Sequence, residues 1–154
     1  MAFLFLAMNT KSFTYTLENL SEIIPEIWDW IKDEKFILLE GEMGAGKTTL
    51  ISHLAKYLNV EGEVQSPTYA LINEYHYKAK GEEPQTWIHS DWYRIEDEEE
   101  AFDAGFEEMV HDMHTKHFIE WFQKIPTLIP KKSIIVSLEK VNEQTRKITF
   151  TKKQ

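Results

Sequence analysis

Two hydrophobic periodicities divide the chain. Leu17, Leu20, Ile23, Ile24, Ile27, Trp28 and Ile31 recur mostly at three- and four-residue steps, the spacing that gathers side chains on one helix face. An amphipathic helix is therefore predicted over Thr16 to Ile31, with Thr16 or Asn19 as candidate N-caps. Pro25 interrupts the pattern, so the helix either kinks there or starts late. Phe36-Ile37-Leu38-Leu39 is a continuous apolar run, as expected of a strand covered on both faces. A glycine-bearing segment follows, and Thr49 to Leu58 reads as a helix.

Further strands are predicted over Tyr69 to Tyr77, Thr86 to Asp91, Phe118 to Trp121 and Ser133 to Leu138, with a weaker last one over Lys147 to Thr151. Lys80-Gly81 marks a turn, and Glu96 to Met109 reads as an acidic-faced helix. Strands alternating with helices imply an α/β fold with a mixed or largely parallel sheet flanked by helices. No repeat, low-complexity stretch or Pro/Gly-rich linker divides the chain, so residues 1–154 are read as a single compact domain. Residues 1–10 are read as an N-terminal extension. Its apolar run lacks the basic start of a signal peptide and is far shorter than the about 20 residues a membrane span needs.

Composition narrows this picture only in places. At 154 residues, 42% hydrophobic and 13% aromatic, the chain has enough apolar material for one core. It has no cysteine, which excludes disulfides and thiolate zinc sites and fits a reducing, cytoplasmic setting. The net charge of −9 is uneven: Pro130 to Gln154 carries seven basic and two acidic residues, +5, which leaves −14 on the remainder. An acidic body is poorly suited to gripping a phosphate backbone. Direct nucleic-acid binding is therefore not expected, and no membrane association is expected either.

The chemistry concentrates in Gly41-Glu42-Met43-Gly44-Ala45-Gly46-Lys47-Thr48, which fits G-x-x-x-x-G-K-[ST] without a mismatch. Glycines at these steps let consecutive backbone N–H groups turn inward on a phosphate without side chains in the way. The helix that follows adds its N-terminal partial charge. Lys47 is placed to reach the terminal phosphates, the Thr48 hydroxyl to ligate magnesium, and Thr49 to complete the first turn. The motif lies between an apolar strand and a helix, the context it requires.

Such a site needs a carboxylate at a neighbouring strand end. Asp91, closing Trp87-Ile88-His89-Ser90-Asp91, and Glu120, closing Phe118-Ile119-Glu120, are the candidates. Spacing does not separate the metal role from the water-positioning role. Ser66-Pro67-Thr68 offers two hydroxyls about a rigid proline, suited to sensing a γ-phosphate, although such a segment also reads as an ordinary turn. His111, His114 and His117 do not converge if they share one helix, because the third lies about 240° from the first. The tryptophans are expected in or at the core, with Trp121 beside Glu120 the exception of interest.

GEMGAGKTTL, SPTYALINEY, HSDWYRIEDEEE and FIEW, in this order, resemble the TsaE (YjeE) family, small P-loop ATPases of bacterial tRNA threonylcarbamoyladenosine synthesis. The likeness runs from about Thr16 to Leu138. It implies ATP bound by Gly41 to Thr49, Mg2+ at Thr48 with Asp91 and Glu120 about it, and Ser66 and Thr68 in a switch-like segment. Lys47, Asp91 and Glu120 would be the catalytic residues. It also implies protein partners, the TsaB and TsaD type subunits of the threonylcarbamoyl-transfer complex, with tRNA engaged only through them. Arg94 matches the family's Tyr-Arg pair. Glu42-Met43 stands where Asp-Leu is frequent, and Ser90 where phenylalanine is commoner. The alternatives to a partner-dependent ATPase are a small P-loop kinase and a nucleotide-gated binding module. The kinase reading lacks an arginine-rich lid, since Arg94 and Arg146 are the only arginines.

Overall fold

The computed structural model describes residues 9–60, 72–77, 85–103 and 115–153. Seven strands form one sheet: β1 (Thr10–Thr16), β2 (Phe36–Glu40), β3 (Ile72–Tyr77), β4 (Gln85–Asp91), β5 (Thr115–Glu120), β6 (Ser133–Lys140) and β7 (Thr145–Lys153). Their spatial order is β1-β7-β6-β2-β5-β4-β3. The centre, β6-β2-β5-β4, is parallel, while β3, β7 and the β1–β7 pairing are antiparallel. The mixed α/β sheet flanked by helices is thus present.

Both faces of β2 are covered, as its unbroken apolar run requires. Ile37 and Leu39 pack under α1 (Leu20–Ile31) and α2 (Lys47–Tyr57), with Ile24, Ile27, Leu50, Ile51 and Leu54. Phe36 and Leu38 face the other way, onto Trp92, Ile95, Ile119, Phe122 and Ile125, beside the short helix α3 (Glu98–Asp103). No helix of the described residues is long and apolar enough to cross a membrane.

Several sequence expectations shift. Residues 11–15, to which the sequence assigns no element, form strand β1 together with Thr10 and Thr16, and Phe13 and Tyr15 alternate there with polar neighbours. Helix α1 starts at Leu20, four residues after Thr16, and runs through Pro25 to Ile31, so the proline does not delay its start. Asn19 stands at the cap position but spends its side chain on Thr16: Thr16 N–H donates to Asn19 Oδ1 at 2.8 Å, and Asn19 N–H donates to Thr16 Oγ1 at 3.2 Å. The last strand is longer than expected and lies between β1 and β6. His117 lies on β5, buried and stacked on Phe36 with ring centroids 5.1 Å apart, so the helical argument does not apply to it. His111 and His114, the Lys80-Gly81 turn, and the extensions of the predicted strand and helix over residues 69–71 and 104–109 lie outside the described residues.

Lys116 on β5 is a buried cation. Its ammonium donates to the carbonyls of Ile31 at 2.9 Å, Lys32 at 3.0 Å and Glu34, satisfying acceptors that the end of α1 leaves open. Burial pushes its pKa down to about 8, against the pull of Glu34 and Asp33.

Candidate functional site

The parallel strands β2, β5 and β4 end together. Leu39 is in register with Glu120, and Glu120 with Asp91. Adjacent strands lie about 4.8 Å apart, so the two carboxylates flank one another at the edge of the sheet from which the glycine loop leaves.

The loop turns as the glycines predict. Gly44 and Gly46 have φ of 83° and 108°, values an L side chain adopts only with strain. Ala45 is buried, and its N–H donates to Glu42 O at 3.0 Å. Gly46 caps α2, so Lys47 and Thr48 open the helix at its positive end, where the first N–H groups have no partner within the helix. Glu42, Met43 and Thr49 are exposed; Thr48 is half-buried.

Lys47 sets the electrostatics. Its Nζ donates to Gly41 O at 2.6 Å and lies 3.5 Å from Glu120 Oε1. The second oxygen of Glu120 lies 2.6 Å from His89 Nε2. His89 is fully buried, and its Nδ1 has no hydrogen-bond partner among the described residues. The ring therefore offers its proton at Nε2, to Glu120. Glu120 thus stands between a buried histidine and the loop lysine, with both oxygens engaged.

The neighbouring carboxylates are driven apart. Burial pushes Glu120 up, but the hydrogen bond and charge of His89 together with Lys47 outweigh it, and its pKa falls below the ordinary glutamate value. Asp91 moves the opposite way. Burial, with the negative charge of Glu120, raises it, against the Tyr93 N–H, which donates to Asp91 Oδ1 at 2.9 Å, and the weaker pull of Lys47 and His89. A carboxylate raised beside an already satisfied one is short of positive charge, and such divergence marks functional sites.

Beside these groups opens a cleft of about 400 Å³ lined by Leu39, Glu40, Gly41, Glu42, Met43, Lys47, Trp121 and Gln123. Trp121 follows β5 in a left-handed conformation, φ 57°, which turns it out of the strand. Its half-exposed ring lies 5.0 Å from that of Tyr93, beneath which sits Lys124. Trp121 therefore lines the cleft and not the core. Trp87 and Trp92 are core residues, while Trp28 and Trp30 are only partly buried.

The structure thus gathers Gly41 to Thr48, Asp91 and Glu120 in one place. Ser66 and Thr68 lie outside the described residues. Arg94 is exposed and stands clear of the cleft lining. The sequence reading gave His89 no part beyond strand packing. Its signal was available, since residues two apart on a strand share a face, which puts His89 with Asp91.

These groups fit a hard divalent cation bound together with a phosphate. Thr48 and Asp91 are oxygen donors, and Asp91, raised by burial and by Glu120, is the less stabilised of the two carboxylates. Among the described residues no group of three or more His, Cys, Asp or Glu could hold a metal alone. That suits an ion completed by phosphate and water.

Comparison with known proteins identifies the family. A family model described as "Threonylcarbamoyl adenosine biosynthesis protein TsaE" matches residues 11–148. The TsaE of Bacillus subtilis is 36% identical over 115 residues, covering 75% of this chain and 68% of that one. The TsaE of Rickettsia bellii is 31% identical over 148 residues, covering 94% and 96%, and that of Aquifex aeolicus 33% identical over 138 residues, covering 88% and 91%. Among solved structures, the crystal structure of Bacillus subtilis YdiB superimposes with a TM-score of 0.61 at 23% identity, covering 94% of this chain and 86% of that one, and shares the fold. With a glycine loop, a paired lysine and two strand-end carboxylates in place, and with the family model spanning nearly its whole length, the chain belongs to the TsaE family.

Proposed function

We propose that this protein is a magnesium-dependent ATPase serving tRNA threonylcarbamoyladenosine biosynthesis, the process named in its relatives' descriptions. The observation that carries the reading is Lys47, held at the mouth of a glycine loop between Gly41 O and Glu120.

The reaction is attack of water on the γ-phosphorus of ATP with loss of ADP. Backbone N–H groups of the loop and the start of α2 receive the phosphates. Lys47 exchanges its contact with Glu120 for the terminal phosphates, where its charge offsets what develops in the transition state. That exchange frees Glu120 Oε1 to accept a hydrogen bond from the attacking water. Its lowered pKa makes Glu120 a weak base, so it orients the water and leaves the proton to pass to the phosphate. Thr48 and Asp91 would hold Mg2+, which would supply charge neutralisation to the phosphates when bound.

The acidic body, −14 without the C-terminal segment, favours protein partners over direct tRNA contact. TsaB and TsaD type subunits are the partners in this reading, in the cytoplasm, and hydrolysis is slow without them, since a second protein often completes such a site.

The test is phosphate release by the wild type and Lys47→Ala, with and without Mg2+ and with and without those subunits. Hydrolysis that needs Mg2+, rises with the subunits and vanishes in the variant is expected. Equal turnover in the two proteins, or none from wild type under any condition, refutes the ATPase assignment.

A further inference from the structure

Arg146 belongs to the basic stretch Pro130 to Gln154, yet it is 7% exposed. Its Nη1 donates to the carbonyls of Asn142 at 2.7 Å, Thr145 at 3.1 Å and Glu143 at 3.3 Å, within and beside the β6–β7 turn. Its Nη2 reaches away from that turn, to the carbonyl of Gly44 at 3.4 Å. The cross-strand partner of Arg146 in the β1–β7 ladder is Tyr15. Tyr15 is also buried, and its hydroxyl lies 3.8 Å from the point a Cβ on Gly46 would occupy. One register pair of the outer sheet therefore touches two glycines of the phosphate loop.

The contact falls where the loop is least constrained. Among the described residues a Cβ on Gly44 would meet nothing within 4 Å, so neither a side chain of its own nor their packing limits this residue. Gly44 O and Ala45 N–H belong to one planar trans peptide and point in opposite directions. The amide side is held by Glu42 O, and a donor on the carbonyl holds the other side of the same peptide. A guanidinium suits this task because its rigid fork serves two sets of acceptors at once, which an ammonium does not. Tyr15 remains a neutral hydroxyl throughout the physiological range, because burial pushes its pKa up to about 12 against the pull of Arg146.

We propose that Arg146 and Tyr15 are positioning residues of the phosphate loop. Arg146 pins the Gly44–Ala45 peptide and Tyr15 backs Gly46, so the loop meets a nucleotide already ordered. Part of the affinity for nucleotide then arises from a hairpin far away in sequence, through ordering of the loop before binding. The inference rests on the nucleotide-binding reading given above.

The test uses the full chain, calorimetric titration with ADP in the presence of Mg2+, and hydrogen exchange of the loop amides, all well below each variant's melting temperature. Arg146→Ala is expected to weaken ADP binding by at least about tenfold, equivalent to about 1.4 kcal/mol, and to speed exchange at residues 42–46. Arg146→Lys recovers part of the affinity, and Tyr15→Phe, which keeps the ring, stays within about threefold of wild type. Lys147→Ala, at the exposed neighbouring position, changes neither readout. Should Arg146→Ala fail to fold, Arg146→Lys carries the test alone through its loop exchange and its ADP affinity. Folded Arg146 variants that bind ADP as wild type does, with only a lowered melting temperature, would show a purely structural brace and overturn the proposal. A wild type that binds no ADP would instead remove the nucleotide reading, a distinguishable result.

Discussion

His89 Nε2 lies 2.6 Å from one oxygen of Glu120, and that contact turns the other oxygen toward Lys47. A fully buried histidine with a single partner among the described residues holds in its charged form a carboxylate that burial pushes toward protonation. Replacing it by alanine leaves Glu120 without its inner donor. His89→Ala is expected to lose about 1–3 kcal/mol of stability and on the order of 10–100-fold in ATP turnover. His89→Gln, which retains a donor, restores part of both. Urea melts and phosphate-release rates on the same preparations check this; turnover unchanged in His89→Ala would remove the histidine from the site.

Asp91 and Glu120 respond to acid with opposite signs. Asp91 has a folded-state pKa above its ordinary value, so its ionised form disfavours the fold. The penalty is absent below the unfolded pKa, about 3.9, and grows as pH rises through the folded value. At pH 7 and without nucleotide, Asp91→Asn is expected to melt above wild type, with the gap closing toward pH 4, while losing any stabilisation by Mg2+ with ADP. Glu120, lowered in the fold, stabilises above about pH 4.3 and loses that contribution as pH falls through its folded value. Glu120→Gln should therefore melt below wild type at pH 7. Thermal melts across pH 3 to 7 measure both; a destabilised Asp91→Asn would contradict the charge deficit assigned to that carboxylate.

Two glycines of one loop should fail differently. A Cβ on Gly41 would lie 2.7 Å from Leu138 O and 3.2 Å from Ala45 Cβ. The first neighbour is backbone of a central strand, which cannot give way. Gly41→Ala is expected to destabilise by roughly 2–4 kcal/mol. A Cβ on Gly44 meets open space, so Gly44→Ala bears only its positive-φ strain, roughly 1–2 kcal/mol. Chemical denaturation separates the two; equal losses would mean that Leu138 moves freely.

Lys116 should make stability depend on pH far from the nucleotide site. Its folded pKa, about 8, lies below the ordinary value of about 10.4. Between these values the unfolded chain binds more protons, so this group's contribution to stability rises with pH. Lys116→Met removes that slope. The difference in unfolding free energy, wild type minus variant, is expected to increase from pH 8 to pH 10 in urea titrations, and a flat difference would mean the ammonium keeps its proton throughout.

Local chemistry was legible in the sequence wherever it was written in consecutive residues. The glycine loop, its lysine and the two strand-end acids lie together because strand, loop and helix are sequential, and because β5 and β4 pair in parallel beside β2. What escaped was non-local or cut across a pattern. Strand β1 alternates at Phe13 and Tyr15 but runs straight into the helical apolar series beginning at Leu17, and the longer period masked the shorter. Arg146 lies among lysines that are solvated, and nothing in its neighbours reveals that its partner is Gly44, 102 positions away. Trp121 leaves the strand because its backbone turns left-handed, a choice no propensity of tryptophan signals.

The β1–β7 ladder has a consequence for how the site comes into being during folding. The glycine loop is among the most local features of the chain, whereas the ladder that supports it joins residues more than 120 positions apart, with Ser12 and Thr149 hydrogen-bonded across 137. Closing so large a loop carries an entropic cost and is slow relative to local structure. A nascent chain that has made the loop but not β7 thus holds the whole phosphate-binding motif without its seat. On the role proposed for Arg146 and Tyr15, the loop gains its order only with completion of the sheet.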